Sequence, residues 1–142
     1  MSSIIKPTEL HKIADDIEAT KLREALAKRR EQENAANSLR DDFMSNQLRP
    51  DVMERVNTAV RKAAAQGLTE IKVMQFPSGY CTDNGRAINN YEASWPNSLQ
   101  GWAKNAHAFY KEHLEKEGYR LRAEILNYPG GNLGDVGIFL GW

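Results

Sequence analysis

The chain has 142 residues, a length that suits one small domain or a domain with an appendage. Lys and Arg number 19, as do Asp and Glu, and this neutral total argues against a general nucleic-acid binder, whose affinity depends on excess cations. The single cysteine, Cys81, excludes an intramolecular disulfide and a cysteine-based metal cluster. No apolar leader or transmembrane stretch is visible, so we expect a soluble cytoplasmic protein without membrane contact or cofactor.

Residue types divide the chain near Gly67. All ten glycines, three tryptophans and five tyrosines lie between Gly67 and Trp142. Before Gly67 the sole aromatic residue is Phe43. We therefore predict two parts, a charged helical arm over residues 1–49 and a compact α+β domain over residues 50–142.

The arm has the composition of a helix. Neither glycine nor proline occurs between Pro7 and Pro50, and good helix formers dominate this stretch. The pattern predicts a long helix that begins at Thr8, with a break near Asn34–Asn37 as the alternative. Its apolar stripe is narrow and drifts around the helix, so no coiled-coil heptad is specified. Such a stripe needs a partner surface, which favours self-association or a protein partner.

The remaining residues predict a small mixed domain. Pro50 opens a helix that ends at Gly67, with Leu68 completing a Schellman motif. The later elements predicted from periodicity and turn signals are a strand at Glu70–Phe76, a helix at Asn97–Glu117 and strands at Tyr119–Asn127 and Asp135–Trp142.

The element order ααβαββ, which includes the long N-terminal helix, predicts the α+β class. We expect a two-layer sandwich in which helices cover one face of a small mixed three-stranded sheet, with the first strand parallel to the second. The uncovered face is expected to be half polar and to be either solvated or covered by a partner. Its predicted polar residues are Lys72, Arg120, Arg122 and Glu124.

The polar connection Pro77–Pro96 is the place where we predict a ligand site, because long links inside compact domains are usually functional. In this hypothesis Arg86 holds a carboxylate or phosphate through its planar guanidinium. In the alternative interpretation the loop fastens itself through Asn and Asp bonds to its own backbone. The predicted site residues are Cys81, Asp83, Arg86, Asn89, Asn90 and His107.

Catalysis and metal binding have weaker sequence support. Cys81 would need His107 or His113 as a base, and no catalytic signature surrounds it, so the sequence leaves enzymatic activity undecided. The two histidines are not spaced to stack as i,i+4 ligands, so we predict no metal site.

The function predicted from these features is that of a non-catalytic protein-interaction module that assembles as a homodimer through its N-terminal helices. One alternative is a small anionic-ligand-binding or enzymatic domain with its site at the 77–96 loop. Another is partner recognition through the half-polar sheet face or an exposed strand edge.

Overall fold

A computed structural model describes residues 4–142 of the chain. The chain divides into two compact units, one that ends at Asp41 and one that runs from Asp42 to Trp142. The predicted arm, over residues 1–49, extends further along the chain than the first unit. The helices are α1 (Pro7–Ser45), α2 (Val52–Ala65), α3 (Arg86–Asn89) and α4 (Gly101–Phe109), and the strands are β1 (Glu70–Pro77), β2 (Arg120–Ile125) and β3 (Asp135–Gly141).

Helix α1 is continuous over 39 residues, with no break at Asn34–Asn37. At 1.5 Å per residue its length is about 58 Å. All residues from 4 to 42 are exposed, and Phe43 is the first buried residue of the chain that the structure describes.

Helix α2 ends in the predicted Schellman motif. The Leu68 amide donates to the Ala63 carbonyl and the Gly67 amide donates to the Ala64 carbonyl, each at 3.0 Å. Gly67 has a φ of 82°, which glycine adopts without the steric cost that a Cβ imposes.

The helical run that begins with α4 changes from one helix type to another before it ends. A π-helical turn at Tyr110–Leu114 and a 3₁₀ turn at Glu115–Glu117 follow α4, and the run ends at Gly118 as predicted. Its start differs from the prediction, because Asn97 lies in a preceding 3₁₀ turn and the expected capping box with Gln100 is not formed. The Gln100 side-chain amide instead donates to the Tyr80 carbonyl at 3.2 Å.

The three strands form an open sheet in the order β1-β3-β2, and both hydrogen-bonded pairs are antiparallel. The α+β class is confirmed, but the sheet is antiparallel rather than mixed. Strands β1 and β2 do run in the same direction, as expected, yet β3 lies between them. Strand β3 suits the central position because Val136, Gly137 and Ile138 are all buried, on both of its faces.

One face of the sheet is apolar and carries the core of the second unit. Its three cross-strand rows are Ile71–Leu140–Leu121, Met74–Ile138–Ala123 and Phe76–Val136–Ile125. Val136, Ile138 and Leu140 are at most 1 % exposed.

Phe43 belongs to this core. Its ring lies 5.1 Å from the ring of Phe76, 4.8 Å from that of Tyr80 and 6.3 Å from that of Trp102, measured between centroids. The last turn of α1 is therefore part of the compact unit.

Candidate functional site

The connection between β1 and α4 is ordered rather than structureless, since it contains α3 and two 3₁₀ turns. The Ser78 amide donates to the Gly134 carbonyl at 2.9 Å, and the Ser78 hydroxyl donates to the Leu133 carbonyl at 3.0 Å. The Thr82 amide donates to the Ser98 carbonyl at 2.9 Å. These bonds tie the connection to the β2–β3 loop and to its own far end.

Asp83 organises the start of α3. One carboxylate oxygen accepts a hydrogen bond from the Gly85 amide at 3.0 Å, and the other accepts from the Ala87 amide at 2.9 Å. The predicted Asp83-Asn84-Gly85 turn is present, with φ values of 58° at Asn84 and 86° at Gly85. Both oxygens of Asp83 thus bind the backbone of their own loop, which is the arrangement of the self-fastened interpretation.

Cys81 lies in the hydrophobic core and is 3 % exposed. Burial raises the pKa of its thiol to about 11, while a hydrogen bond with Ser98 opposes this shift and the Asp83 charge adds to it. A protonated, buried thiol is a poor nucleophile at neutral pH. Neither His107 nor His113, the two bases considered, is hydrogen-bonded to the Cys81 thiol among the described residues.

The other predicted loop residues lie near the surface. Arg86 and Asn90 are exposed, and Asn89 accepts a hydrogen bond from the Tyr128 hydroxyl at 3.0 Å. This bond links α3 to the β2–β3 loop. The structure therefore gives Asn89 a bridging contact, and Arg86 stays a predicted anion anchor.

His107 lies on α4 with its ring 6.0 Å from that of Trp95 and 6.2 Å from that of Tyr110. Burial, and secondarily the Lys111 charge, hold the pKa of its imidazole below the ordinary value and so favour the neutral form of the ring. It lines an open groove of about 580 Å³ together with residues that include Thr82, Leu99 and Lys104. None of the other five predicted site residues lines this groove.

A second concavity beside His107 is apolar. This apolar cleft has a volume of about 400 Å³ and lies between α2, the sheet and the helical run that begins with α4. Its lining includes Val56 and Ala59 on one side and Trp102 and Phe109 on the other. The cleft depends on contacts between distant segments, so neither periodicity nor a local motif could reveal it.

The uncovered sheet face was predicted to be half polar, and its Arg122 is paired with Glu70 and Glu124. The Arg122 guanidinium donates two hydrogen bonds to the Glu70 carboxylate, each at 2.6 Å, and one to Glu124 at 2.9 Å. The same guanidinium lies 4.2 Å from the centroid of the Phe139 ring. Arg122 lowers the pKa of Glu70, chiefly through these hydrogen bonds. Because the Arg122 charge is already paired, this sheet face is better suited to contact with solvent than to binding a charged partner.

Two searches within residues 4–142 gave negative results. No group of three or more His, Cys, Asp or Glu side chains is arranged to hold a metal ion. None of the helices in this range combines the length and apolar character needed to cross a bilayer.

Comparison with known proteins found no match to the chain among family models, curated proteins or solved structures.

Proposed function

We propose that the protein is a non-catalytic interaction module that self-associates through α1. The observation that carries this proposal is the exposure of every residue from 4 to 41. Six large aliphatic side chains of α1 are between 46 % and 66 % exposed. They are Leu10, Ile13, Ile17, Leu22, Leu26 and Leu39.

The exposed part of α1 has few interactions of its own that could hold it helical. Among residues 4–40, no ion pair joins the many charged side chains, and the one side-chain hydrogen bond runs from the Thr20 hydroxyl to the Asp16 carbonyl. Most helical stability in proteins comes from packing of an apolar face, and i,i+4 ion pairs, which also stabilise helices, are missing from this range. Burial of aliphatic side chains against another chain would supply the stabilisation that is lacking.

The aliphatic residues of α1 occupy two faces. Leu10, Ile13 and Ile17 follow i, i+3, i+7 spacing and share one face, whereas Leu22 and Leu26 begin roughly 140° further around the helix. We assign the interface to the first face because its three residues form a continuous stripe. A second copy is the favoured partner, since two-fold homodimers are the commonest soluble oligomers and match each stripe with its own equivalent.

Sedimentation equilibrium of the full chain at tens of micromolar tests this proposal. We expect a dimer that becomes a monomer in the double variant Ile13→Gln, Ile17→Gln. The matched control is the double variant Leu22→Gln, Leu26→Gln, which removes the same kind of side chain from the other face and should remain dimeric. A monomeric wild-type chain, or equal dissociation of both double variants, would contradict the assignment.

A further inference from the structure

We propose that the apolar cleft beside α2 binds a small amphiphile, namely a molecule with an apolar chain or ring system and one carboxylate. This inference concerns a site within residues 42–142 and does not depend on self-association through α1.

The apolar cleft is open to solvent on one side and reaches down to core residues of the sheet. Its floor includes Ile138 and Leu140, each 1 % exposed, and its opening includes Ala59, which is exposed. The volume of about 400 Å³ lies within the range of small-molecule sites, roughly 300–1,000 Å³. Protein interiors are otherwise close-packed, so an aliphatic or aromatic group in this space would complete the packing of α2 against the sheet.

The charged residues that line the apolar cleft are all basic. They include Arg55 and Lys72 and no aspartate or glutamate. The Lys72 ammonium donates to Gln75 at 2.7 Å on the polar face of the sheet, so its charge is directed away from the apolar cleft and Arg55 is the cation that remains beside it. Tyr110 also lines the cleft, but its hydroxyl is engaged with the Tyr119 carbonyl at 2.9 Å. Arg55 therefore favours an anionic ligand over a cationic one.

Arg55 is the residue that we assign to the carboxylate. Its Nε atom donates to Asp51 at 3.0 Å, and its two terminal amino groups make no hydrogen bond within the described chain. Both partners of this ion pair are about half exposed, so the pair contributes little and can rearrange at low cost. A guanidinium with free terminal groups matches the two oxygens of a carboxylate.

The experiment is isothermal titration calorimetry of the full chain with dodecanoate, below the concentration at which it forms micelles. Dodecanol and dodecylammonium carry the same chain with a neutral or cationic head. The Ala59→Trp variant fills the opening of the cleft, and Ala64→Trp is its matched control, because Ala64 is an exposed alanine of α2 that does not line the cleft. Circular dichroism confirms that each variant remains folded.

We expect dodecanoate to bind with a dissociation constant below about 1 mM and to bind more tightly than either comparison compound. Ala59→Trp should abolish binding, and Ala64→Trp should leave it unchanged. Arg55→Gln should weaken dodecanoate binding by about three- to fivefold, as for an exposed ion pair, and leave dodecanol binding unaffected. The proposal is overturned if dodecanoate does not bind, if Ala59→Trp binds like the wild type, or if Arg55→Gln weakens the acid and the alcohol equally.

Discussion

Replacement of Phe43 by alanine tests whether the end of α1 belongs to the compact unit. Phe43 is 9 % exposed, and its ring contacts those of Phe76, Tyr80 and Trp102. Truncation of a buried phenylalanine costs about 3–5 kcal/mol, of which the aromatic pairs account for roughly 0.5–1.5 kcal/mol each. Because Phe43 lies at the end of a helix, where neighbours can close part of the cavity, we expect a loss near the lower limit, about 3 kcal/mol.

Urea unfolding followed by tryptophan fluorescence measures this loss, since Trp102 lies beside the new cavity. The matched control is Leu39→Ala, one helical turn earlier, where the side chain is 66 % exposed. At submicromolar protein, where chains are dissociated, this control should change stability by less than about 0.5 kcal/mol. If Phe43→Ala costs less than about 1 kcal/mol, or no more than the control, Phe43 is not a core residue.

Three further predictions concern the second unit. Gly101→Ala should lower the free energy of unfolding in urea by roughly 2 kcal/mol or more, because the φ of Gly101 is 56° and a Cβ there would lie 2.5 Å from a backbone oxygen of α1. The control Gly118→Ala, which has open space around it, should cost about 1 kcal/mol. Equal losses would contradict the close approach of Gly101 to α1. Cys81 should react with a thiol reagent at pH 8 at least about a hundredfold more slowly in the folded chain than in denaturant, because the raised pKa of about 11 keeps the thiol protonated. Comparable rates in the two states would refute the burial of Cys81. Glu70→Gln should lower the free energy of unfolding at pH 7 by at most about 1 kcal/mol, because the ion pair between Glu70 and Arg122 is partly exposed. Since the pKa of Glu70 is lowered in the folded state, the difference between variant and wild type should shrink as the pH falls below about 4.3. A difference that grows with acid would contradict a stabilising ion pair at Glu70.

The features that local sequence determines were predictable. The end of α2 at Gly67 and the end of the later helical run at Gly118 follow from glycine's access to positive φ, and both are confirmed. The alternation in β2 and β3 correctly separated an apolar sheet face from a polar one. These signals need only a few consecutive residues.

Features that depend on distant segments were not predictable in the same way. The insertion of β3 between β1 and β2 depends on which pairs bury the most surface, and a single strand's pattern does not encode this choice. The helix α3 was missed because it is one turn long and is set by the Asp83 carboxylate.

Phe43 had a sequence signal whose meaning became clear only in three dimensions. As the one aromatic residue before Gly67, it stood out in the arm, yet its core position follows from its contacts with the second unit's aromatic rings. Of the predicted ligand site, Cys81 lies in the core and the Asp83 carboxylate binds the backbone of its own loop. Arg86 stays the predicted anion anchor, and His107 stays a predicted polar partner.

Amide hydrogen exchange of the full chain at two protein concentrations, one above and one below the dissociation constant of the dimer, tests the role of α1 most directly. Self-association predicts that protection of residues 10–35 rises with concentration while protection of the β strands does not change. Strong protection of residues 10–35 that is identical at both concentrations, in a chain that sediments as a monomer, would show that the helix is stable without a partner and would contradict the proposed function.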